Sequence, residues 1–323
     1  MRRIPIYKLS MFPRVTLAGV FCFIMFISSV IVSGSAYGIR LTHVKHLFDI
    51  THDFSQPSDV AVSKDGLIYV VDGVNNAIKV FNQSGRFVFS FGSKGPLNGQ
   101  FKFPLGIDIS SSGKVYVADS GNHRIQIFGP TGIYLNQIKL HSKLKSADPT
   151  DVAVNESLNR LYIADNDNHY ILVYDLSNMQ LLQTLGGPGI EEREFRYPFQ
   201  LAFDNHKYIY VTDVVNTRVQ VFNSEGLFVT LIGGWGVEKG QFFRPKGVAV
   251  DNNDRVYVSD SYMGVIQVFK NNGEFHSAIG APEKNSVKKF VTPSGLFIDN
   301  DILYVVEMFA DKISVYKLLG DTE

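Results

Sequence analysis

Gly66-Leu-Ile-Tyr-Val-Val-Asp72 reads with a period of two rather than 3.6. It is a strand, not a helix turn, and its acid closes it ahead of a polar turn. The Tyr-x-x-acid step returns at Tyr116 to Asp119, Tyr162 to Asp165, Tyr210 to Asp213, Tyr257 to Asp260 and Tyr304 to Glu307. A proline precedes a strand in every copy, at Pro57, Pro104, Pro149, Pro198, Pro245 and Pro293, spaced 45 to 49 residues apart. A fixed period of that size marks a repeat architecture whose units bury their apolar faces only by stacking on neighbours.

Each copy holds four short runs, in the fourth Gln200 to Asp204, Tyr208 to Asp213, Arg218 to Asn223 and Leu227 to Gly233. Turn segments such as Ser63-Lys-Asp-Gly66, Asn223-Ser-Glu-Gly226 and Asn271-Asn-Gly273 separate them. Asn, Asp and Gly there supply positive φ and local hydrogen bonds, so consecutive runs pair as antiparallel hairpins. Four strands repeated six times give an all-β, six-bladed β-propeller. The sixth copy stops after Ile313-Ser-Val-Tyr316 without a fourth strand, and Val44 to Ile50 is an orphan fourth strand ahead of the first proline. The N-terminal strand is therefore expected to complete the last blade and remove the open edges of the ring.

Phe103-Pro-Leu-Gly-Ile-Asp-Ile, Val115-Tyr-Val-Ala-Asp-Ser-Gly-Asn-His-Arg-Ile-Gln-Ile-Phe128 and Arg244-Pro-Lys-Gly-Val-Ala-Val-Asp251 resemble NHL repeats, over residues 41 to 320. The resemblance implies the propeller fold and leaves function open, because the family includes RNA- and protein-binding propellers, extracytoplasmic sensors, and relatives with lyase or hydrolase activity. The peptide-amidating lyases are similar at Gln56-Pro-Ser-Asp-Val-Ala-Val62, but in them metal-binding histidines directly follow the strand-opening proline. Here those positions are Ser58, Leu105, Thr150, Phe199, Lys246 and Ser294, so that activity is not carried over.

Residues 1 to 38 read as a leader and 39 to 323 as the propeller. Arg2, Arg3, Lys8 and Arg14 precede an uncharged run over residues 15 to 32, followed by Ser33-Gly-Ser-Ala36. This is an export signal. Its 18 residues also suffice to span a bilayer, so a cleaved signal peptide and an uncleaved membrane anchor both stay open. Cys22, the single cysteine, lies in that run after Val20-Phe21, which is no lipobox. The expected location is periplasmic or cell-surface. Without the leader's four basic residues the chain keeps 27 basic against 31 acidic residues, a balance that disfavours nucleic-acid binding. A self-closed ring of near-neutral charge is expected to be a monomer.

In a propeller the connections into each first strand and the turns between second and third strands open on one face, called upper here, which is the default binding surface. The acidic ring from Asp72 to Glu307 there reads as structural, with Arg124, Arg218 and Lys312 five residues on as partners. His52, His123, His141 and His169 fall near the same connections, close to Asp59, Asp151 and other acids. His123, His169, Asp59 and Asp151, with Arg124 and Arg218, form the polar site of an alternative reading, a metal-assisted lyase or hydrolase. The chain lacks catalytic elbows, zinc helices, calcium or phosphate loops and haem motifs, so no metal or other cofactor is assigned. The other half of the face is apolar: Val214-Val215, Tyr262-Met263 and Met308-Phe309 replace turns reading Ser120-Gly121 or Asn166-Asp167, with Phe199 and Trp235 nearby. Exposed, such residues anchor a protein, peptide or envelope polymer; folded inward, they plug the channel. The first reading is a non-catalytic binding scaffold.

Overall fold

The structure, a computed structural model, describes residues 39 to 140, 146 to 281 and 284 to 319. The leader and His141 lie outside the described residues. Within the unit Ile39–Glu323 the strands form six antiparallel sheets in sequence order, with three single 3₁₀ turns and no α-helix among the described residues. Blade one runs Pro57–Val62, Ile68–Asp72, Ala77–Phe81 and Phe87–Phe91. In blade four, Pro198–Phe203, Ile209–Asp213, Arg218–Phe222 and Phe228–Gly233 match the sequence reading to within two residues.

Val44–Ile50 pairs antiparallel with Lys312–Leu318 and completes blade six, as expected. An additional strand was not anticipated. Leu41–Thr42 pairs in parallel with the outer strand of blade five, Phe275–Ile279, and Thr42 Oγ1 lies 2.6 Å from Ser277 Oγ.

The core is divided among six clusters, one at each interface between blades. At the first, Ala61, Tyr69, Val71 and Val80 of blade one meet Phe101, Ile107, Val117 and Phe128 of blade two. The tyrosine of the Tyr-x-x-acid step lies buried in such a layer, and Tyr69 donates its hydroxyl to Pro130 O at 2.7 Å in the next blade. Alternation thus sends one side of every sheet to each neighbour, which explains why both faces are apolar. The inner strands approach so closely that a Cβ on Gly247 would overlap Ser294 O.

Candidate functional site

The acidic ring is a set of structural clamps. Each acid accepts a backbone N–H from the loop entering its own blade: Asp72 from Ser55, Asp119 from Lys102, Asp165 from Asp148, Asp213 from Arg196, Asp260 from Phe243 and Glu307 from Val291, at 2.6 to 3.0 Å. The asparagine three residues on, at 75, 122, 168 and 216, donates to the same carboxylate. Arg124 and Arg218 pair with Asp119 and Asp213 at 2.7 and 2.9 Å, and Lys312 stands 3.3 Å from Glu307. Sequence reading missed Lys79, which serves Asp72 from seven residues on. That second position carries Gln126, Gln220 and Gln267 in other blades.

Those glutamines shape the upper face. In blade five Gly240 N donates to Gln267 Oε1 at 2.8 Å while Gln267 Nε2 donates to Gln241 O at 2.6 Å, and Phe242 is fully buried below. The loop Gly234-Trp-Gly-Val-Glu-Lys-Gly-Gln-Phe242 is thereby fixed, and it presents Trp235 to solvent at 76% exposure. Replacing Gln267 by alanine should cost about 1–3 kcal/mol in chemical unfolding. The emission of Trp235, the chain's single tryptophan, should shift with it. An unchanged midpoint would mean the loop holds itself.

The residue after Phe242 brings in a second aromatic pair. Phe243 stacks on Tyr262 with ring centroids 4.2 Å apart, and Tyr262 and Phe309 are 54% and 63% exposed. Val215 is exposed as well, while Phe199, Val214, Met263 and Met308 are half-buried. At these exposures Val215, Tyr262 and Phe309 are in contact with solvent rather than packed as a plug. In blade five the register is one residue off the sequence reading. Tyr262 takes the place of Gly121, and Met263 that of Asn122, donating its N–H to Asp260 Oδ1 at 2.9 Å.

The channel is filled by polar groups instead. Asp59, Asp151 and Gln200 occupy the position two residues after the proline, where Gly106, Gly247 and Gly295 stand in the other blades. Gln200 Nε2 donates to Asp59 Oδ1 across the axis at 2.9 Å, and its Oε1 accepts from Val248 N and Leu296 N. Asp59 accepts from Ile107 N and Asp151 from Leu201 N, each in a neighbouring inner strand. Asp108 joins them from one turn deeper, accepting from Val154 N, and a cavity of about 140 Å³ lies among these groups. Burial pushes the Asp59 carboxyl up to about 8 and Asp108 up to about 6. Burial, then the Asp59 charge, drives Asp151 well upward too.

These repeats match a known pattern. The NHL repeat model fits residues 54–81, 101–128, 147–174 and 242–269. The chain is an NHL-repeat β-propeller. No curated protein sequence matches it. Among solved structures, virginiamycin B lyase from Staphylococcus aureus superposes with a TM-score of 0.62 at 15% identity, covering 84% of this chain and 99% of that one. A gluconolactonase from Xanthomonas campestris gives 0.65 at 14%, covering 88% and 93%. Kuenenia stuttgartiensis hydrazine synthase gives 0.59 at 11%, covering 90% and 99%. At such identities the likeness is one of fold alone.

Within this NHL-repeat propeller the polar residues singled out in the sequence are dispersed. Asp59 and Asp151 lie in the channel, while Arg124 and Arg218 are held by their carboxylates and by loop carbonyls, including Leu97 O and Glu191 O. His123 Nδ1 is 2.6 Å from Ala147 O, His169 Nδ1 accepts from Tyr197 N at 3.1 Å, and His52 stacks on Phe87. Among the described residues no three His, Cys, Asp or Glu side chains stand together as a metal site.

Proposed function

We propose that this propeller is an exported, non-catalytic scaffold that captures a protein, peptide or envelope polymer on the apolar sector of its upper face. The observation that carries the reading is the stacked pair Phe243 and Tyr262, together with the exposed Trp235 and Phe309 of the same face. Large aromatic side chains held in water by a clamped loop forgo the burial that folding offers them, and a partner that covers them releases that hydration. The ring supplies a surface that needs no ordering on binding, which lowers the entropic cost of association. Export rests on the basic residues and apolar run of residues 1 to 38.

The test is a crosslinked pull-down of the full-length tagged chain from its native host, set against Trp235→Asp, Tyr262→Asp and Phe309→Asp combined. All three side chains are exposed, so thermal unfolding of the variant should match wild type. Aromatic anchors at an interface centre are each worth about 2 kcal/mol or more. Capture should therefore fall by at least about tenfold. A partner retained equally by both forms would sink this surface, and no capture by wild type would sink the scaffold.

A further inference from the structure

Five buried or half-buried cations of the ring are matched to carboxylates: Lys79 to Asp72, Arg124 to Asp119, Arg218 to Asp213, Arg255 to Asp251 and Lys312 to Glu307. Exposed Arg244 and half-buried Lys246 have no such match. They flank Pro245 at the opening of blade five, and among the described residues neither meets a carboxylate at ion-pair distance. Lys246 is half-buried with Nζ 4.4 Å from the centre of the Phe199 ring in blade four. Burial, and then the charge of Arg244, hold its ammonium below the usual lysine range. The half-buried Lys246 ammonium, beside the like charge of exposed Arg244 and without a carboxylate at ion-pair distance, carries an uncompensated cost. An anion arriving from outside would relieve both the repulsion and the lost hydration.

The surroundings define that anion. Phe243, adjacent to Arg244, stacks on Tyr262, and the Arg244 carbonyl accepts from Ser261 N at 3.0 Å, so the cations and the aromatic platform share one rigid corner. Lys239 and Lys289 are exposed nearby, Lys289 Nζ donating to Met263 O, and the exposed Glu238 offsets Lys239 in the same loop, so the excess of positive charge rests on Arg244, Lys246 and Lys289. Elsewhere on the upper face Asp53, Asp167 and Asp311 are exposed on blades one, three and six. The positive sector is thus short and bounded by acids, which would repel a long polyanion running across the ring. A short segment carrying a carboxylate next to an apolar side chain fits both halves of the corner.

We propose that Arg244 and Lys246 are the anion-binding half of the upper-face site, and that its ligand is a peptide segment in which an acidic residue neighbours an aromatic or aliphatic one. This rests on the upper face being the docking surface. The expected complex places the carboxylate between guanidinium and ammonium and the apolar side chain over Trp235 and Tyr262.

Fluorescein-labelled octapeptides of alternating Glu and Phe, and of alternating Lys and Phe, provide the test, with anisotropy read against the full chain at low and at moderate salt. The acidic peptide should bind at least about tenfold more tightly, quench or shift Trp235, and lose affinity with salt. Arg244→Gln with Lys246→Gln should abolish that preference at a melting temperature no lower than wild type, whereas Tyr262→Ala should weaken both peptides alike. Equal binding of the two peptides, or an acidic preference that survives the glutamine pair, overturns the proposal. Binding of the polyanionic glycan alginate in place of the acidic peptide overturns the peptide assignment. If neither peptide binds while capture in the pull-down still depends on Tyr262, the scaffold stands and the anion site falls.

Discussion

Asp213→Ala should lower the free energy of unfolding by about 3–5 kcal/mol in a denaturant titration, because it leaves Arg218 buried without its carboxylate. The same substitution strands three further donors, Arg196 N, Asn216 Nδ2 and Gln220 Nε2. Burial pushes the Asp213 carboxyl up, and the bonds from Arg196 N, Asn216 and the Arg218 guanidinium pull against it. The double variant Asp213→Ala with Arg218→Leu separates the two contributions. It should recover a large part of the loss, since an apolar pair of similar volume has no orphaned charge. If the double variant is as unstable as the single one, the clamp acts through its backbone bonds, and the ion pair contributes little.

The axial aspartates make the ring sensitive to alkali. An unfolded aspartate releases its proton near pH 4, whereas in the ring Asp59 holds one up to about pH 8 and Asp108 up to about 6. Between those limits the folded state binds more protons than the unfolded one, so stability is greatest at the acidic end and declines as pH rises. The groups facing Asp59 are Asp151, Asp108 and the Gln200 amide, none of them a cation. Melting temperature should therefore fall between pH 5 and 9, by the equivalent of a few kcal/mol on the order of 1.4 per proton per pH unit. Asp59→Asn keeps an acceptor for Ile107 N and removes the titration. Its profile should be flatter and its stability at pH 8 higher than wild type. A wild-type melting temperature that rises through this window, or an asparagine variant as steep as wild type, would show that the aspartates ionise freely in the fold.

What could be read from the residues depended on how far apart the interacting partners stand. The strands, the hairpins and the clamp from Asp119 to Arg124 involve neighbours within one repeat, and comparison of six copies exposes them. The closing role of Val44 to Ile50 was legible because two incomplete halves had to match. Lys79 escaped because Ala77 holds the expected position in blade one and the cation sits two residues on, on the same side of the strand. Asp59 and Gln200 meet across 141 residues, and no local pattern signals that contact. A usable sign was present nonetheless, since glycine follows each proline by two residues in three copies and a polar side chain does so in the other three. Likewise Lys246 registers in the sequence only as a position that is not histidine, and its isolation from carboxylates is a property of the folded ring.

The parallel strand Leu41–Thr42 has a consequence for the order of assembly. Thr42 meets Ser277 across 235 residues, and Asp49 meets Lys312 across 263. The segment synthesised before blade one can reach neither partner until the strands of blades five and six exist. Blades two to four pack only on sequence neighbours and can form progressively, whereas one side of blade one waits for blade six, so closure is expected to come late and to carry the loop-entropy cost. Until then an exposed strand and the flank of blade six wait unpaired, which is the interval in which intermolecular pairing competes with completion of the ring.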